Sequence, residues 1–208
     1  MTIGLQQFLA VSPLVAILRG LKPDEAEDIG EALYEGGIRI IEVPLNSPEP
    51  FVSIERLSSR FGDRALIGAG TVLEVEDVER VRRAGGRLIV SPSTDVRVIK
   101  AAVEAGLVSC PGYFTPSEAF EAIAAGAHAL KLFPAEGAAP PVIRAQRAVL
   151  PQSLTLLVVG GITPDNMQPW LDAGADGFGL GSGLYKPGQS SSETLAKARA
   201  YGAALASQ

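Results

Sequence analysis

Short apolar runs alternate along the chain with stretches in which apolar residues recur every three or four positions. The runs are LVAIL from Leu14, IRIIEV from Ile38, ALI from Ala65, RLIV from Arg87, LVSC from Leu107, ALKLF from Ala129, LTLLVV from Leu154 and FGLG from Phe178. None alternates cleanly between apolar and polar, so each predicts a strand covered on both faces, as in a parallel sheet flanked by helices. Between the runs, Ala26, Ile29 and Leu33, and likewise Val96, Ile99, Val103 and Leu107, have the spacing of one buried helical stripe. Helix starts are marked by Pro23-Asp24-Glu25, Thr115-Pro116-Ser117-Glu118 and Thr163-Pro164-Asp165, where caps, early proline and acidic first turns suit an N-terminus. Helix ends are marked by glycines at Gly37, Gly86, Gly106, Gly126 and Gly174, the middle three standing 20 residues apart.

Eight such strand-helix units in 208 residues predict a single domain over 1–208, a small (β/α)8 barrel of the TIM class. The residues before Leu14 are expected to form a short helix that plugs the bottom of the barrel. An open doubly wound sheet is the alternative. Against it, the first strand is followed by Arg19-Gly20-Leu21-Lys22 in place of a G-x-G-x-x-G dinucleotide turn.

Composition narrows the function. A hydrophobic content of 47% supplies a core, and 18 basic against 23 acidic residues leave a net charge of -5, so no basic field is available for nucleic acid or anionic lipid. One cysteine and one histidine cannot build a disulfide scaffold or the usual zinc cage, so a metal-free, cytoplasmic protein is expected. No charged region precedes the first apolar stretch and no run reaches membrane-spanning length, which predicts neither a leader nor a membrane partner.

In a barrel of this class, chemistry is sited at the carboxyl ends of the strands. The polar residues that interrupt those ends are Arg19, Glu42, Thr71, Lys131, the Gly160-Gly161 pair and Gly181-Ser182. Lys131 lies between apolar neighbours, and burial of an ammonium is relieved either by a partner carboxylate or by a lowered pKa, which yields a nucleophilic amine. Glu42 poses the matching case in Ile40-Ile41-Glu42-Val43. The two are read as nucleophile and proton shuttle, with a structural ion pair as the alternative. Two glycine-rich turns after adjacent strands suit a phosphate held by backbone amides, with Ser182 adding a hydroxyl; ordinary tight turns are the competing reading. Arg19 is a candidate carboxylate clamp or a surface arginine, and Thr71 either orients substrate or caps the next helix. His128 and Cys110 are read as structural.

Taken together, E-V-P-L-N-S-P from Glu42, G-A-G-T from Gly68, C-P-G-x-x-T-P-S-E from Cys110, K-L-F-P-A from Lys131, V-G-G-I-T from Val159 and G-L-G-S from Gly179 resemble the class I KDPG/KHG aldolase family along nearly the whole chain. Two departures from its gluconate-type members, Asn46 in the place of an arginine and Val159 in the place of a threonine, point to the galactonate branch. The resemblance implies cleavage of a phosphorylated 2-keto-3-deoxy sugar acid to pyruvate and glyceraldehyde 3-phosphate, through a Schiff base on Lys131 with Glu42 moving protons. It places the phosphate on Gly160, Gly161, Gly181 and Ser182, the pyruvyl end on Arg19 and Thr71, and Phe133 and Val159 beside the substrate. It further implies no cofactor and a homotrimer. Action on the gluconate epimer, a phosphosugar epimerase or synthase, and a silent phosphosugar-binding barrel are the alternatives; a lysine flanked by apolar residues in the sixth strand speaks against the second, and the third has no use for Glu42 together with Lys131.

Overall fold

The computed structural model describes residues 4–206. After a short helix α1 (Leu5–Leu9), strands and helices alternate: β1 (Leu14–Ile17), α2 (Ala26–Glu35), β2 (Ile40–Pro44), α3 (Pro50–Phe61), β3 (Leu66–Gly70), α4 (Val75–Arg83), β4 (Leu88–Val90) and α5 (Val96–Glu104). The order continues with β5 (Val108–Cys110), β6 (Gly112–Tyr113), α6 (Pro116–Ala124), β7 (Ala129–Leu132), α7 (Pro140–Arg147), β8 (Thr155–Val159), α8 (Met167–Asp172), β9 (Gly177–Leu180) and α9 (Ser191–Ala206). All the strand pairs are parallel, and the sheet runs β5-β4-β3-β2-β1-β9-β8-β7-β6.

The two ends of that sheet are one run of chain. The fifth apolar run ends in β5; beyond it Pro111, which has no N–H to give to a ladder, breaks the strand, so β5 bonds to β4 and β6 bonds to β7. The His128 amide donates to the Ser109 carbonyl at 2.9 Å and the Lys131 amide to the Pro111 carbonyl at 3.0 Å, which closes the barrel across the break. All eight strand positions expected from the apolar runs are therefore present, the fifth as two short pieces.

Strand alternation divides the apolar side chains into two layers. One set, including Ala16, Ile41, Ile67 and Leu130, packs outward under the helices. The other set, Val15, Ile40, Leu66, Leu88, Val90, Val108, Cys110, Ala129 and Leu157, fills the interior together with Leu5 and Phe8 of α1. The N-terminal helix is thus the plug that the sequence suggests. Ala26, Ile29 and Leu33 form the buried face of α2. In α5 the buried residues are Val98, Ile99 and Ala102, and Val103 is exposed, so the expected stripe through Val96 and Val103 is rotated by about a quarter turn. The helix-ending glycine of the A-G-G step is Gly85, at φ 80, and not Gly86. Among the described residues, no helix is long and apolar enough to cross a membrane.

Candidate active site

Lys131 is the third residue of β7, and its backbone is fixed on one side by the Pro111 carbonyl and on the other by pairing with Leu157. Its side chain turns into the barrel, where Glu42, Leu88, Val90, Cys110, Leu157 and Val159 line the same small interior space. Nζ lies 5.1 Å from the centre of the Phe133 ring, a cation–π distance that places Phe133 over the amine. Burial holds the Lys131 ammonium below its ordinary pKa; Glu42 and Cys110 oppose that shift and the Arg19 charge reinforces it.

Glu42 enters from β2, where Ile17 of β1 and Gly68 of β3 are its register partners. It is 2% exposed, and its Oε2 is buried without a hydrogen-bond partner. Burial pushes its carboxyl up to about 7, although Lys131 and Arg19 pull it down. Among the described residues no ion pair closes between Glu42 and Lys131. Both groups are therefore pushed toward neutrality, which is the state a nucleophilic amine and a proton-exchanging acid require near pH 7. An unpartnered buried oxygen also argues against a purely structural pair, since such pairs persist when their hydrogen bonds are complete.

Three further residues stand at the mouth. Arg19 is exposed just past β1; its Nη1 donates to Asn46 Oδ1 at 2.7 Å, and the following Gly20 amide donates to Ser47 Oγ at 2.9 Å. Asn46 is thus a prop for Arg19. Thr71 follows β3 with φ 56, a strained conformation for a β-branched residue. The N-cap position of α4 belongs to Glu74, so the reading of Thr71 as a helix cap is set aside.

The glycine-rich turns follow the adjacent strands β8 and β9. Gly160 and Gly161 adopt φ 116 and 65, which side-chain-bearing residues rarely do. A side chain on Gly181 would meet nothing within 4 Å, and Ser182 beside it is exposed. The Gly161 carbonyl accepts from Asn166 Nδ2 at 2.8 Å and the Ile162 carbonyl from the Tyr201 hydroxyl at 2.8 Å, so both turn residues are held from behind. Glu136, from a 3-10 turn at Ala135–Gly137, packs its carboxylate against Gly160.

The structure therefore brings Lys131, Glu42, Phe133 and Val159 into or over one interior, and leaves Arg19, Thr71, Gly160, Gly161, Gly181 and Ser182 at strand ends around it. Sequence reasoning missed Asn46 as the partner of Arg19, Asn166 and Tyr201 behind the turn, and Glu136 beside it. Only Asn166 carried a local signal, since it closes a capping box with Thr163. Cys110 lies in the interior wall with its thiol pushed up to about 12 by burial, and His128 Nδ1 accepts from the Ser109 amide at 3.1 Å; both fit structural roles.

The sequence model of the KDPG and KHG aldolase family matches residues 5–200. The chain is 48% identical over 189 residues to the 2-dehydro-3-deoxy-6-phosphogalactonate aldolase of Escherichia coli K12, covering 91% of this chain and 92% of that protein. It is 51% identical over 186 residues to a probable 2-dehydro-3-deoxy-6-phosphogalactonate aldolase of Rhizobium meliloti 1021, covering 89% and 88%. A solved structure described as native KDPGal superposes with a TM-score of 0.92 at 47% identity, covering 94% of this chain and 95% of that one.

Proposed function

As the chain belongs to the KDPG and KHG aldolase family, a family of carbon–carbon lyases, we propose that it cleaves 2-dehydro-3-deoxy-6-phospho-D-galactonate to pyruvate and D-glyceraldehyde 3-phosphate. The observation that carries this reading is the convergence of a buried amine and a buried, unpartnered carboxyl in one barrel interior. The neutral Lys131 amine attacks the C2 carbonyl; protonated Glu42 gives its proton to the leaving hydroxyl, so that loss of water yields an iminium and leaves Glu42 as the carboxylate, which regains that proton when the product iminium is hydrolysed. Glu42 takes the C4 hydroxyl proton as the C3–C4 bond breaks. The bonding electrons pass into the iminium as an enamine, and C4 becomes the aldehyde of the departing triose phosphate. Glu42 then returns a proton to C3, and hydrolysis frees pyruvate and Lys131. Every proton taken is given back, so the cycle consumes only the water that it earlier released.

The C6 phosphate rests on the amides of Gly160, Gly161 and Gly181 and on the Ser182 hydroxyl, and the carboxylate on Arg19 and Thr71. The Glu136 charge works against an anion at the Gly160 side, which favours a seat displaced toward Gly181. A homotrimer is supported by the family resemblance and by apolar side chains left exposed on three successive units, Leu73 and Val75, Val103, and Phe114 and Phe120. Sedimentation equilibrium tests it, a monomer being the contrary result. The phosphorylated substrate and the lone buried Cys110 support a cytoplasmic setting.

Specificity for the C4 epimer falls to Val159, which lines the interior beside Glu42 and Lys131 with no hydrogen-bonding group. Pyruvate release from both phosphorylated epimers tests the substrate. The wild type is expected to use the galactonate epimer well, and Val159→Thr to move the ratio of kcat/KM toward the gluconate epimer by about tenfold, the worth of one net hydrogen bond. A wild type that prefers the gluconate epimer would assign the chain to the other branch.

A further inference from the structure

Gly70 ends β3 with its backbone in the extended range open to any residue, so no conformational demand explains a glycine there. The reason is spatial. A methyl group on Gly70 would fall on the carboxylate of Glu42, overlapping Oε2, Cδ and Oε1. Gly68, the other inward-facing glycine of this strand, has a different neighbour, since its added methyl would strike the Leu88 backbone carbonyl. Gly68 thus lets β4 approach, and Gly70 leaves a seat for one catalytic side chain. The Glu42 carboxylate occupies that seat with Oε2 buried and, among the described residues, free of hydrogen bonds, so no donor among them holds that oxygen and packing must place it. The seat is itself held firmly, because the Gly70 carbonyl accepts from the Leu45 amide at 2.8 Å, and Leu45 lies on the same chain segment as Glu42.

We propose that Gly70 is a positioning residue for proton transfer, its missing side chain fixing where the Glu42 carboxylate stands relative to Lys131. The proposal rests on Glu42 as the proton carrier of the aldolase reaction. It predicts a steric exchange between the two positions. With alanine at 70, the flexible end of Glu42 swings out of its seat while the surrounding backbone stays, so catalysis suffers more than folding. Shortening Glu42 to aspartate withdraws the carboxylate by one methylene and makes room for the new methyl.

The test is a double-substitution cycle with Gly70→Ala, Glu42→Asp and both together, assayed for kcat and KM and for labelling of Lys131 by prolonged incubation with pyruvate and borohydride. Gly70→Ala should lower kcat by about 100-fold, within the range expected for lost acid–base catalysis, with KM changed less than threefold and Lys131 still fully labelled. The double variant should turn over about tenfold faster than Gly70→Ala alone. If Gly70→Ala does not fold, the double variant should recover folded protein. Overturning results are a Gly70→Ala enzyme within threefold of wild-type kcat, or a double variant with no gain in turnover or folding over Gly70→Ala. Wild-type protein that is not labelled at all would remove the aldolase reading and the proposal with it, which separates the two failures.

Discussion

Glu42 is held near neutrality by burial, and that placement has a thermodynamic cost as well as a catalytic use. Its proton is bound more tightly in the folded protein, the carboxyl rising from 4.5 to about 7, so the folded state takes up a proton between those values. The contribution of this group is fully present below about pH 4.5 and is lost as pH rises through about 7. Glutamine in its place does not titrate, so the melting temperature of Glu42→Gln should gain on wild type from pH 5 to pH 8. Its turnover should fall by about two to four powers of ten. Thermal melts at the two pH values, with a turnover assay, check both; a constant difference in melting temperature and near-normal turnover would reduce Glu42 to a packing residue. The lysine and the glutamate were legible in the sequence because a charge inside an apolar run is conspicuous. Asn46, Glu136 and Tyr201 were not, since their roles depend on which loops the closed barrel brings together.

The elements were legible to different depths. Parallel strands betray themselves by apolar runs, and all eight positions hold. The break at Pro111 was not read, because the fifth run ends at Cys110 and the pair Gly112–Tyr113 beyond the proline is too short to carry an apolar run of its own, although it makes the ladder to β7. The α5 stripe was misplaced because Val103 matches the helical period while Ala102, small and easily overlooked, is the residue under cover. The plug α1 is only five residues long and has no side-chain cap, so its stability comes from docking. Phe8, 5% exposed within the interior cluster, is its main anchor. Phe8→Ala should destabilise the protein by about 3–5 kcal/mol, measured by denaturant unfolding. A loss below about 1 kcal/mol would show that the bottom of the barrel closes without the helix.

At the scale of the whole molecule, the barrel works by separating tasks. Strand interiors exclude water from Lys131 and Glu42, and the loops beyond the strand ends present Arg19, Thr71 and the glycine turns to solvent, where a charged substrate can be met. The proposed chemistry turns on a covalent intermediate at one buried amine, Lys131. The most direct measurement is incubation with pyruvate, reduction with borohydride and peptide mass analysis. One reduced pyruvyl adduct is expected, on Lys131, absent from Lys131→Arg, because arginine stays protonated and cannot form the imine. An adduct confined to another lysine, or no adduct in an enzyme that still cleaves its substrate, would contradict it.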